Sequence, residues 1–92
     1  MYLFIVGKGH SYQDINAAIA DARKGDVILV KAGHYDAPII IDKQVCIIGE
    51  NSPYIVRGVD DGRTIEIVNG AENVILYGLV FCANPQSIPG KD

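Results

Sequence analysis

The chain has 92 residues, 49% of them hydrophobic and 21% charged, with a formal net charge of -3. That length makes one small domain with a limited buried core, and the apolar content is too high for a disordered chain. The acidic balance leaves no basic stripe, which excludes the electrostatic footprint of a nucleic-acid binder. Residues 2–6 form a short aromatic and β-branched run. It is too brief to span a membrane, and no basic segment precedes it and no small-residue cleavage site follows, so it is not a signal peptide. The cytoplasm is therefore the expected location by default, although an excised piece of a longer secreted protein would read the same. The run predicts one strand, ended by the turn-rich Gly7-Lys8-Gly9-His10-Ser11. Gly7-Lys8-Gly9 lacks the length and helix-opening context of a phosphate loop and reads as a flexible turn.

Ser11 predicts the start of a helix over about residues 12–24. Asp14 completes an S-x-x-D box, and Ile15, Ala18, Ile19 and Ala22 recur at helical spacing as a stripe that must be covered. Arg23 and Lys24 suit the negative end of the helix dipole, and Gly25 can take a left-handed cap. From Val27 onward no window holds a helical period. Apolar runs of three or four residues at 27–30, 39–41, 45–48, 54–56, 64–67 and 74–77 alternate with Gly, Pro, Asn and Asp at intervals too short for βαβ crossovers. Hairpin turns of two residues are nearly absent, Asn69-Gly70 being the one candidate. Brevity and repetition together predict a right-handed solenoid of parallel strands.

The repeat is visible in the residues. Val45, Ile47 and Gly49 align with Val74, Leu76 and Gly78 at an offset of 29, and Ile39 and Ile41 align with Ile65 and Ile67 at an offset of 26. Val27, Leu29 and Gly33 read as an earlier rung, 18 residues before Val45. The expected architecture is mainly β: a short right-handed parallel β-helix of two to three coils with an N-terminal capping α-helix. It occupies residues 1–92 as a single truncated domain, with the helix cap at about 12–24, coils at about 27–82 and a Pro- and Gly-containing tail at 83–92.

Ser11-Tyr12-Gln13-Asp14-Ile15-x-x-Ala18-Ile19, Asp26-Val27-Ile28-Leu29-Val30-x-x-Gly33-x-Tyr35, Ile39-x-Ile41-x-Lys43 and Ile47-x-Gly49 resemble the N-terminal part of pectin-lyase-like parallel β-helix proteins. The nearest likeness is to pectin methylesterases and to the periplasmic copper-protein accessory family with carbohydrate-binding β-helix repeats. The resemblance implies a helix laid over the open end of the coil, with the Gly and Tyr positions serving turns and packing. Full members of that family are much longer, and their catalytic carboxylates and arginine lie on middle rungs. No matching motif stands in these 92 residues, so the resemblance implies no catalytic residue, cofactor or metal here.

Alternation across the strands would place Val27 and Leu29, Val45 and Ile47, and Val74 and Leu76 inside the coil. Ile28, Val30, Cys46, Ile48, Ile75 and Tyr77 would then form an apolar outer stripe. Such a stripe is either covered by another segment of the chain or is an interface in a homo-oligomer, dimer or higher. Arg57, Asp60, Asp61 and Arg63 in the most polar loop are the candidate ligand residues, for a sugar or for Ca²⁺, against the reading of a solvated corner whose charges offset one another. His10 and His34 read as turn histidines without converging ligands, Tyr35 as a ring that closes a corner, and Cys46 and Cys82 as reduced thiols used as small hydrophobes. The functional expectation is a small non-catalytic module acting through self-association or protein interaction. The alternative is a carbohydrate-binding or carbohydrate-processing β-helix in fragment or minimal form, and an acid-loop metal binder is a third reading.

Overall fold

Short strands in this chain end where the backbone has to turn a corner. Asn51 and Ser52 (φ 59 and 55), Asn69 (φ 57) and Asn73 (φ 55) all take the left-handed conformation, which asparagine tolerates better than β-branched residues do. The computed structural model describes residues 2–57 and 63–82 and holds nine strands and one helix among them. The elements are β1 (Leu3–Val6), α1 (Ile15–Asp21), β2 (Val27–Val30), β3 (His34–Asp36), β4 (Ile39–Ile41), β5 (Cys46–Gly49), β6 (Tyr54–Val56), β7 (Ile65–Ile67), β8 (Ile75–Tyr77) and β9 (Val80–Cys82). These left-handed residues lie between β5 and β6 and between β7 and β8.

The protein is mainly β, and every strand pair among these elements is parallel. The strands form three sheets, in the orders β1-β2-β5-β8, β3-β6-β9 and β4-β7. From β2 onward the chain visits the first, second and third sheet in turn and then returns to the first. Asn69-Gly70 accordingly joins strands of different sheets and closes no hairpin.

Two of the three expected registers are present. Ile47 pairs with Leu76, the offset of 29, and Ile39 and Ile41 pair with Ile65 and Ile67, the offset of 26. The third differs by one residue: Val27 pairs with Cys46 and Ile28 with Ile47, an offset of 19 in place of 18. A slip of one residue turns every side chain of a strand to the opposite face. Ile28 and Val30, expected on the outside, are therefore wholly buried, and Val27 and Leu29 take the outer positions. The run Val27-Ile28-Leu29-Val30 is apolar throughout, so it carries no internal mark of parity. The mark stands just beyond it, where Lys31 and Glu50, the first charged residues past their runs, differ by 19.

Inside the sheets lie Phe4, Val6, Ile28, Val30, Val45 and Ile47 from the first, Tyr35 and Ile55 from the second, and Ile39 and Ile41 from the third. Each fully buried isoleucine contributes about 1.5–3 kcal/mol by leaving water. Tyr35 closes a corner, its hydroxyl donating to the Lys31 carbonyl at 2.7 Å, and burial raises its phenol pKa above the usual 10.0. Where the first sheet ends, Gly49 and Gly78 stack so closely that a methyl on Gly49 would meet the Gly78 carbonyl carbon and the Pro53 ring, each at 2.8 Å.

Helix α1 buries Ile15, Ala18 and Ile19 and packs on β1, β2 and β4. It is shorter than the span of 12–24. Tyr12 is drawn into a parallel bridge with Val6, its carbonyl accepting from the Gly7 N–H at 2.7 Å, so the chain cannot turn helical until Asp14, which caps through its side chain onto the Asn16 N–H. The last carbonyls of α1 are met by Lys43, whose Nζ donates to Ile19 and Ala22 at 2.9 Å each. A residue distant in sequence thus does what Arg23 and Lys24 were expected to do. Asn16 fastens the helix to β4, donating to the Pro38 carbonyl and accepting from the Ile40 N–H, both at 2.9 Å.

Asp26 sets where β2 begins relative to β1. Its two oxygens accept from the Tyr2 and Arg23 N–H groups at 2.8 Å each. The Arg23 N–H, then the Tyr2 N–H and nearby positive charge, hold its carboxyl below the usual 3.8 against the opposing effect of burial. A carboxyl with a depressed folded pKa stabilises fully above its unfolded value and loses that contribution as pH falls through the folded value. Asp26→Asn should therefore lower the Tm near neutral pH, and the gap from wild type should close below about pH 4. Thermal melts of both proteins across acid pH check this, and a gap that stays constant with pH would remove Asp26 from that role.

Candidate interaction surface

The outer face of the first sheet is apolar from edge to edge. The register aligns Leu3, Val27, Cys46 and Ile75 in one row and Ile5, Leu29, Ile48 and Tyr77 in the next. Leu3, Ile75 and Tyr77, on the two edge strands, are 51%, 58% and 72% exposed, and the side chains between them are half-buried by their neighbours in the ladder. These residues form strands for the reason they make an unusual surface: β-branched and aromatic side chains fit a pleated sheet, and here they fit on both of its faces.

Polar residues border the patch at both strand ends. Past the C-terminal ends of β2 and β5, Lys31 Nζ and Glu50 Oε1 form an ion pair at 2.9 Å, their side chains 34% and 45% exposed. Before the N-terminal ends of β5 and β8, the same parity places Gln44 and Asn73. An apolar centre inside a polar border is the composition of a protein contact surface.

Of the six residues expected on this face, Cys46, Ile48, Ile75 and Tyr77 lie there, whereas Ile28 and Val30 belong to the core. Leu3 and Ile5 were missed because residues 2–6 show no likeness to the later rungs, and only pairing with β2 brings them into the sheet. The candidate ligand loop is less complete. Asp60 and Asp61 lie outside the described residues. Arg57 is half-buried, with its backbone N–H donating to the Cys82 carbonyl at 3.0 Å, and the Arg63 guanidinium is paired with Glu66.

His34 packs edge-on against Tyr54 with ring centroids 5.5 Å apart, and Cys46 and Cys82 are both free thiols. Among the described residues no group of three or more His, Cys, Asp or Glu is placed to hold a metal ion, and no helix is long and apolar enough to cross a membrane. No protein-family model, curated protein or solved structure matches the chain.

The two faces of the first sheet should respond differently to the same substitution. Ile28→Lys buries an unpaired charge and costs several kcal/mol, comparable with the roughly 5–14 kcal/mol total stability of a domain this size. It should abolish cooperative unfolding, whereas Ile48→Lys should leave the circular dichroism spectrum and Tm close to wild type. Equal damage from both variants would overturn the assignment of faces.

Proposed function

We propose that this chain is a short right-handed parallel β-helix of the pectin-lyase-like kind, and that it acts without chemistry of its own, by association of the outer face of its first sheet with a second copy. The eight aligned apolar side chains of that face carry the reading. The rotation of the chain through three parallel sheets and the helix packed at one end support the β-helix assignment.

Charge placement favours a second copy as the occupant. A two-fold axis running along the strands between β2 and β5 lays β2 of one copy over β5 of the other. Lys31 then faces Glu50 of the second copy, and the apolar rows meet with no charge opposed to its like. This arrangement also keeps the strands of the two sheets nearly aligned, the usual geometry of packed sheets.

Four strands about 4.8 Å apart, with two outward rows about 6.8 Å apart along them, give a patch of roughly 250 Å². Two such patches bury roughly 500 Å², well under the ~1,600 Å² of a standard stable interface. The dimer is therefore weak, with a Kd on the order of 10 µM to 1 mM.

Sedimentation velocity over a concentration series should show a reversible monomer–dimer equilibrium. Ile48→Lys and Tyr77→Glu should each shift it to monomer while the fold is kept. Lys31→Glu and Glu50→Lys should each weaken it, and the double reversal should restore it. A wild-type monomer independent of concentration would overturn the proposal. So would a dimer indifferent to Ile48→Lys.

A further inference from the structure

At the end of the stack that carries α1, a cleft of about 530 Å³ opens between the start of β1, the Tyr12 turn and the loop after the helix. It is lined by Tyr2, Phe4, Tyr12, Asp21, Arg23 and Asp26. Phe4 is nearly buried, while Tyr2 is 64% exposed. The rings meet edge to face: Tyr2 and Phe4 have centroids 4.7 Å apart at 64°, and Phe4 and Tyr12 are 5.5 Å apart at 71°. They therefore stand as walls at steep angles to one another and make no single flat platform. Walls of this kind surround a compact head group on several sides, whereas a sugar ring needs one broad face.

The charges of the cleft divide into committed and available groups. Both oxygens of Asp26 are occupied by backbone N–H groups. Asp21 accepts from the Tyr12 hydroxyl through Oδ2 at 2.6 Å, a bond that orients the Tyr12 ring and leaves Oδ1 available. That hydrogen bond raises the Tyr12 phenol above the usual 10.0, so the group stays neutral near pH 7. The Arg23 side chain makes no hydrogen bond or salt bridge among the described residues, although its charge acts on Asp26. The cleft thus offers aromatic rings, one carboxylate oxygen and a guanidinium with no hydrogen bond or salt bridge among the described residues.

We propose that this cleft binds a small zwitterion in which a methylated ammonium is joined to a carboxylate. The ammonium lies against Tyr2, Phe4 and Tyr12, where the ring quadrupoles and Asp21 attract it. The carboxylate reaches Arg23, whose planar fork matches two carboxylate oxygens. The inference is independent of the association reading, since Tyr2 and Phe4 lie on the inner side of β1 and the other groups lie outside the apolar rows.

Saturation-transfer NMR on the untagged chain tests it with three probes: tetramethylammonium for the head group alone, glycine betaine for head group and carboxylate together, and methyl glucoside for a sugar. Irradiating the aromatic protons should transfer saturation to the methyl protons of the first two, with betaine the tighter and a Kd on the order of 1 mM. Tyr2→Ala, at an exposed position that leaves the core intact, should weaken both about tenfold. Arg23→Gln should remove the advantage of betaine without weakening tetramethylammonium, and Asp21→Asn should weaken tetramethylammonium. Circular dichroism establishes that each variant keeps its fold. Absence of transfer to either ammonium probe would overturn the assignment, as would Tyr2→Ala binding like wild type or methyl glucoside binding in preference.

Discussion

The register between β2 and β5 is the constraint on which the rest of the molecule depends. Aligning Ile28 with Ile47 puts two β-branched side chains one above the other inside the stack, and Phe4 and Leu76 extend the row to the edge strands. Every parallel neighbour repeats the demand, because a strand shifted by one residue sends its buried side chains to solvent. Strands of three or four residues carry few hydrogen bonds each, so stability comes from summing many short ladders around one shared interior. Asp26 and Asn16 add side-chain hydrogen bonds to those ladders. The first joins the starts of β1 and β2, and the second supplies partners at the exposed edge of β4.

The same arithmetic leaves apolar surface at the margins. Ile67, Leu76 and Phe81 point inward on the last described strands yet are 52%, 36% and 39% exposed, because no further described rung lies beyond them. At the opposite end α1 covers Ile28, Val30 and their neighbours, and there the core is closed. A chain this small buries a limited fraction of its surface. Among the described residues the outer face of the first sheet keeps Leu3, Ile75 and Tyr77 exposed, which is why the proposed activity is association, and its small area is why the strength expected of it is modest.

Two features of the molecule therefore have different origins. The outer rows follow from strand chemistry repeated at each turn, and their interest lies in what they leave unburied. The cleft at the helical end has no counterpart in the repeat. It arises where β1, the Tyr12 bridge and the end of α1 meet, and residues far apart in sequence supply its rings and charges. Its groups are held by bonds that serve the fold, such as Tyr12 to Asp21 and Asp26 to Tyr2, so the pocket comes with part of its geometry already set.

The residues alone determined the class of structure and two of its registers. Short apolar runs bounded by Asn, Gly and Pro at intervals too small for crossovers leave little but parallel stacking, and Gly49 with Gly78, or Ile39 with Ile65, mark their alignment openly. The stripe Ile15, Ala18, Ile19 and Ala22 likewise declared a helix with one covered face. Tertiary structure decided what local pattern could not. A uniformly apolar run such as Val27-Ile28-Leu29-Val30 has no polar residue to say which side faces in, so its parity came only from pairing with β5. Lys43 reached the end of α1, and Leu3 and Ile5 joined the outer face, because the folded chain brings together residues that share no local period.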